Sequence, residues 1–254
     1  MRGLAAIVVM TLAAIVTAAL ALSSQAAPVA APKFAQNPAM TVDTELVLAV
    51  DVSYSMDPDE QALQREGYVQ ALMSREFKIL LPWRLIDGPE TADAVAAELA
   101  AAPYRRASRT SISGGLMFGQ SLFASSGYHG LRRVIDVSGD SANNNGPPVT
   151  LVRDDVLAKG TTINGLPIML KKPNLMTMDI EDLDIYYEDC VIGGPGAFVI
   201  PIKEREKFTE AIRTKLVQEV AGLSPAPRVV PSAANAPRIS CNIGEQKWRE
   251  RWGN

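Results

Sequence analysis

Short apolar runs of strand length alternate along the chain with longer segments of helical composition, and few folds accommodate that alternation. The run ELVLAVD, Glu45 to Asp51, is apolar throughout except at its ends. Such a strand has no polar face to show to water, so it belongs inside a sheet covered on both sides. RRVIDVSGD, TTINGLPIML and AFVIPI read as further strands, and KILLPWRLID as one interrupted at Pro82. Between them lie helical stretches. Asp57 is placed as an N-cap and Pro58 as a first-turn proline, with Asp59 and Glu60 suited to the positive end of a helix running through QALQREGYVQALMSREF. Helices are also expected from Glu90, over GGLMFGQSLFASS, from Val149 to Ala158, over LDIYYEDCVIG and over KEREKFTEAIRTKLVQEVAGL. Strands alternating with helices predict an α/β fold, a Rossmann-like doubly wound, mostly parallel sheet with helices on both faces.

The N-terminus lies outside that domain. Arg2 precedes an unbroken apolar run from Leu4 to Leu22, and small residues around Ser24 and Ala26 follow. This pattern reads as a signal peptide over residues 1–27, cleaved near Ala26 or Ala27. The run is about 19 residues, close to bilayer-spanning length, so an uncleaved membrane anchor is the rival reading. Both place the remainder outside the cytoplasm, periplasmic or secreted, with membrane contact only if the segment stays uncleaved. An Ala/Pro-rich linker, 28–41, leads into a domain over 42–222, and 223–254 reads as an irregular C-terminal tail.

At 47% hydrophobic and 21% charged residues the chain can bury a sizeable core. Its formal net charge is −3, one unit more negative once Arg2 is removed, and no basic run suggests a nucleic-acid partner. Cys190 and Cys241 both fall in the exported part. Paired, they would staple the tail to the domain, since exported thiols meet an oxidising compartment. Two free buried thiols are the alternative.

In doubly wound sheets ligands bind beyond the carboxyl ends of the strands. Three loops on that side carry oxygen donors. Asp51, Ser53 and Ser55 follow the first strand directly, Thr110 precedes a helix in RTSISGG, and Asp140 follows RRVIDVS. Carboxylate and hydroxyl oxygens suit a hard divalent cation, Mg²⁺ first, with Ca²⁺ or Mn²⁺ also possible. The plainer reading is that the three loop residues merely turn and cap the chain between strand and helix.

AVDVSYSM, together with RTSISGG and VIDVSGDSANN, resembles a von Willebrand factor type A domain and its metal-ion-dependent adhesion site. The stretch from Val42 to Val220, with LQREGY, RRVIDVSGD, TINGLPI and YYEDCVIGGPGAFV, is similar to a family of exported bacterial proteins of unknown function with that fold. The resemblance implies Asp51, Ser53 and Ser55 as the first ligand set, Thr110 as the second and Asp140 as the third. The resemblance supplies no partner, but hydroxyl ligands leave an ion undercharged, which favours a protein partner that presents an acidic side chain. The sequence departs from the type A pattern twice. The acid after the later strand comes one position late, in Ser138-Gly139-Asp140, with Asp136 as a competing acid that alternates with apolar neighbours and reads as structural. Between the first two helices, MSREFKILLPWRLID has room for little more than one strand where type A domains have a hairpin, so one strand is expected to be missing.

The sequence is read as a binding module rather than an enzyme. The single histidine, His129, sits in SSGYHGLRR and reads as a surface turn residue, and no G-x-S-x-G elbow occurs. GGPG, Gly193 to Gly196, precedes a strand and reads as a tight turn. A structural envelope protein whose metal loop holds no ion is the alternative function, and a metal-dependent hydrolase the third. The acidic run EDLDIYYED reads as a solvated helix face rather than a second cation site.

Overall fold

Three parallel strands, in the spatial order β1-β2-β3, carry the fold in the computed structural model, which describes residues 39–51, 53, 55–73, 83–101, 108–173, 178–221 and 237–253. They are β1 (Met40–Val50), β2 (Tyr128–Gly139) and β3 (Thr161–Pro167). The helices are α1 (Pro58–Met73), α2 (Pro89–Ala101), α3 (Ile112–Leu122), α4 (Val149–Ala158), α5 (Leu183–Tyr186), α6 (Phe208–Ala221) and α7 (Ile243–Trp252). A π-helical turn, Tyr187–Val191, prolongs α5. Residues Met40–Asn254 form one compact unit. The expected leader, nearly all of the linker and the segment 74–82, where the hairpin strand is in question, lie outside the described residues. Among the described residues no helix is long and apolar enough to cross a membrane.

Strand alternation sorts the core into two layers, one on each face of the sheet. Leu46, Val134 and Leu166 face α1, α2 and α6, packing with Tyr68, Val95, Phe208, Ile212 and Leu216. Ile135, Val137 and Ile163 face the other way, onto α3, α4 and the α5 turn, through Leu116, Val149, Val152, Tyr186 and Tyr187. This is the doubly wound architecture that the alternation of elements implied. α1 starts with a reciprocal cap: the Glu60 N–H donates to Asp57 Oδ1 at 2.8 Å, and the Asp57 N–H to Glu60 Oε2 at 3.0 Å. That is the capping box, and it satisfies two backbone donors at the helix start.

The structure corrects the reading in four places, one being that residues 83–87, the described end of KILLPWRLID, form no strand. AFVIPI does not form a full strand. It runs parallel to β3 through bonds from the Gly165 N–H to the Phe198 carbonyl, the Ile200 N–H to the Gly165 carbonyl, and the Ile202 N–H to the Pro167 carbonyl. The donor due from residue 167 is missing because that residue is proline, so the ladder breaks there. His129 is exposed but lies in β2, paired with Thr41, not in a turn. The tail is not irregular throughout, because 243–252 is helix α7. Its sequence, IGEQKWRERW, has no apolar stripe of helical period, so the tertiary contacts described below hold what the local pattern does not announce.

GGPG turns at Gly194 and Gly196, both with positive φ. The acidic run is drawn into ion pairs: Asp189 and Glu188 meet Arg238 at 2.7 and 2.6 Å, and Asp184 meets Lys203 at 2.8 Å. Cys190 and Cys241 are joined in a disulfide that closes a loop of 51 residues.

Candidate metal site

β1 and β2 end in register, Val50 beside Ser138, and the Asp51 N–H continues the ladder by donating to the Ser138 carbonyl at 2.8 Å. Asp51 and Asp140 therefore leave the sheet side by side at its carboxyl edge. Gly139 makes this possible, since a Cβ there would come within 2.7 Å of Asp51 Cβ. Asp51 Oδ1 accepts the Ser53 N–H at 2.8 Å, which curls the loop back over the strand end.

The hydroxyls then connect the three loops. Ser53 Oγ and Ser55 Oγ share a hydrogen bond of 2.6 Å, and Ser55 Oγ donates to Asp140 Oδ1 at 2.6 Å. Thr110 Oγ1 donates to Ser53 Oγ at 3.0 Å and stands 3.5 Å from Asp51 Oδ2. Thr110 is held by a reciprocal pair with Asn144: its N–H donates to Asn144 Oδ1, and the Asn144 N–H to its carbonyl. All five residues singled out in the sequence thus meet in one oxygen cluster. The late position of Asp140 does not keep it from the cluster. Asp136 points away from it, into the α6 side of the sheet, where Asp136 Oδ1 lies 2.6 Å from Lys215 Nζ.

Burial and the charge of Asp140 push the Asp51 carboxyl up to about 6, against the hydrogen bonds it accepts from Ser53 and Thr110. Two carboxylates and three hydroxyls are an all-oxygen donor set of the kind that hard cations take. Among the described residues no three His, Cys, Asp or Glu side chains gather to hold a metal, so a cation here would depend on the hydroxyls.

Sequence reasoning missed several participants. Lys171 Nζ lies 3.1 Å from Asp140 Oδ2 and 2.7 Å from Glu60 Oε2, and also donates to the Ser55 carbonyl. Burial pulls its pKa down, but Glu60 and Asp140 outweigh that and hold it above the ordinary lysine value. Burial in turn raises Glu60, opposed by Lys171 and the Asp57 N–H. Ser141 Oγ donates to Ser55 Oγ and Asp140 Oδ1, at 2.9 and 3.1 Å. The spacing of Asp57 and Glu60 signals their capping box. Nothing local signals Lys171, 31 residues from Asp140.

The family model described as a protein of unknown function, DUF1194, matches residues 41–80 and 76–224. The chain belongs to that family. No curated protein matches it. Among solved structures it is similar to proximal thread matrix protein 1 from the mussel byssus, at 14% identity and a TM-score of 0.51, covering 72% of this chain and 49% of that one. A second structure of that protein, with a zinc-occupied MIDAS motif, shares 12% identity at a TM-score of 0.51, covering 71% and 48%. The pilus adhesin SpaC from Lactobacillus rhamnosus GG, in its open conformation, shares 10% identity at a TM-score of 0.50, covering 71% and 30%. The chain therefore spans about half the length of the matrix protein and less of the adhesin. At these identities the likeness is one of fold, and the fold is von Willebrand factor A-like.

Proposed function

We propose that the protein is an exported, non-enzymatic binding module that recognises a protein partner through a divalent cation at the Asp51 cluster. Asp51, Ser53, Ser55 and Thr110 hold the ion, with Asp140 bound directly or through water, and Mg²⁺ is the first choice among the cations. The ion supplies a positive centre with a coordination position left for an acidic side chain of the partner. Hydroxyl ligands neutralise little of its charge, which favours that incoming carboxylate. The observation that carries the reading is the convergence of oxygens from three loops at the carboxyl edge of the sheet, around a carboxyl raised to about 6. The matrix protein of the same fold whose MIDAS motif holds zinc supports it by analogy. The exported setting rests on the apolar leader of the sequence and accords with the Cys190–Cys241 disulfide. His129, the one histidine of the sequence, lies near the far end of β2, about 30 Å of strand from the cluster.

A second reading has one observation in its favour. Lys171 already brings an ammonium to Asp140, so the loop can stand as a structural feature of an envelope protein without an ion. Thermal unfolding of the purified chain in EDTA, then with Mg²⁺, Ca²⁺ or Mn²⁺, separates the two. A cation at a hundred times its dissociation constant adds about 2.7 kcal/mol to the folded state, and this gain vanishes in Asp51→Ala. No gain with any of the three metals, in a protein that unfolds cooperatively, decides for the ion-free scaffold.

A further inference from the structure

Helix α7 lies beyond residue 224, where the family match ends, yet it is fastened onto the candidate site. The Cys190–Cys241 disulfide brings its N-terminus to the α5 turn. Gly244 rests against the carbonyl of Asn143, so closely that a Cβ would overlap the oxygen. Asn143 Nδ2 donates to Glu245 Oε1 at 2.7 Å, and Lys247 Nζ donates to the Asp179 carbonyl at 2.5 Å. Asn143 stands three residues after Asp140, and its Oδ1 also accepts the N–H of Ser113 in the first turn of α3. The helix is thus docked on the loop that carries Asp140.

From that position α7 walls a cavity of about 350 Å³ that opens onto Ser53, Ser55 and Thr110. Its wall is aromatic and mainly cationic, with Arg109, Lys171 and Arg251 against the single acid Asp179. Trp248 and Trp252 pack with ring centroids 4.1 Å apart. The Arg109 guanidinium lies 3.9 Å over the Trp248 ring and that of Arg251 4.8 Å over Trp252, all four lining the cavity. Trp252 keeps 52% of its surface exposed. A guanidinium stacked on an indole has its plane set in advance, which prepares Arg109 to meet a carboxylate edge-on.

We infer that α7 is part of the binding surface, and that it selects a partner segment in which an acidic residue stands next to an aromatic one. The acid enters over the hydroxyl floor beside Arg109, and the neighbouring ring covers Trp252. Charge complementarity argues for an acidic occupant, and the exposed indole argues for a ring beside the acid. The inference rests on the proposal that the Asp51 cluster holds a cation.

The test is selection of a phage-displayed heptapeptide library on the full chain with millimolar MgCl₂, beside the thermal shift given by Mg²⁺. The expected peptides pair Asp or Glu with an adjacent aromatic residue and are released by EDTA. Trp252→Ala and Arg109→Gln, both changes at the surface, weaken them at least tenfold and leave the Mg²⁺ shift unchanged. A normal Mg²⁺ shift with no enriched peptides, with acidic peptides lacking the ring, or with peptides indifferent to both variants overturns the role of α7 and leaves the cation site standing. Absence of the Mg²⁺ shift overturns the cation site and this inference with it.

Discussion

Asp136 and Asp140 lie four residues apart, one within β2 and one just past its end, and their surroundings differ completely. Asp136 faces α6 in the middle of the sheet and is fully buried. Lys215 sits 2.6 Å from its Oδ1, the Tyr68 hydroxyl donates to its Oδ2 at 3.2 Å, and Glu219 completes the cluster through Lys215 and Asn164. Burial alone would lower the Lys215 pKa, but Asp136 and Glu219 outweigh it and raise it, so the ammonium stays charged. Asp140 is also buried, yet its partners are hydroxyls and one lysine that remains 31% exposed. Acids inside the sheet are closed off by an internal cation. Those at the carboxyl edge are positioned by hydroxyls, and the hydroxyl residues Ser53, Ser55 and Thr110 line the cavity. The difference follows from the end of strand pairing, where backbone N–H and hydroxyl groups are free to converge.

The largest expected effect breaks the interior cluster. Lys215→Met leaves Asp136 and Glu219 buried without their cation and costs about 3–5 kcal/mol by urea denaturation. Lys171→Met, the matching change at the edge, costs well under half of that, because Lys171 is itself partly exposed and its removal lets water reach Glu60 and Asp140. It also tightens Mn²⁺ binding several-fold by calorimetry, since Asp140 loses its competing ammonium. Equal costs for the two variants would erase the distinction between interior and edge.

A smaller effect concerns the covalent staple that serves the edge alone. Replacing both Cys190 and Cys241 with serine opens the 51-residue loop and costs about 2–4 kcal/mol. Amide hydrogen exchange in α7 rises, while α6, packed against the interior cluster, keeps its protection relative to global stability. Equal loosening of both helices would mean that the staple serves the whole domain.

The smallest effect is a pH dependence. The folded-state carboxyl of Asp51 is raised from 3.8 to about 6, so between those values the folded state holds the proton more tightly than the unfolded chain. In EDTA this group therefore favours folding at low pH, and its contribution falls as pH climbs from about 4 to 6, then levels. Asp51→Asn removes that component from a plot of Tm against pH, and saturating Mg²⁺ offsets the loss above pH 6. A plot unchanged by the substitution would show that Asp51 carries no such strain at the edge.

Much of this was legible locally. The apolar run before Asp51 announced β1, Asp57 and Pro58 announced a helix start, and helix α4 falls where the sequence places it, Val149–Ala158. The five oxygen residues could be chosen because the sheet type dictates which strand ends build sites. AFVIPI looked like a strand because its apolar run says nothing of the proline opposite it in β3. α7 looked irregular because its stabilising contacts, the disulfide and the Asn143 seat, come from residues far away in the chain.

By itself the sequence determined the alternation of β1–β3 with helices α1–α6, the cap of α1 and the faces the strands bury. These depend on neighbours one to four residues apart, through propensity, alternation and hydrogen bonds within one turn. Only the tertiary structure decided which acids are closed off and which stay open. Asp136 found Lys215, Asp140 found Lys171 and the serine hydroxyls, and α7 came to wall the cavity, because chain closure over tens of residues sets those distances and no local pattern encodes them.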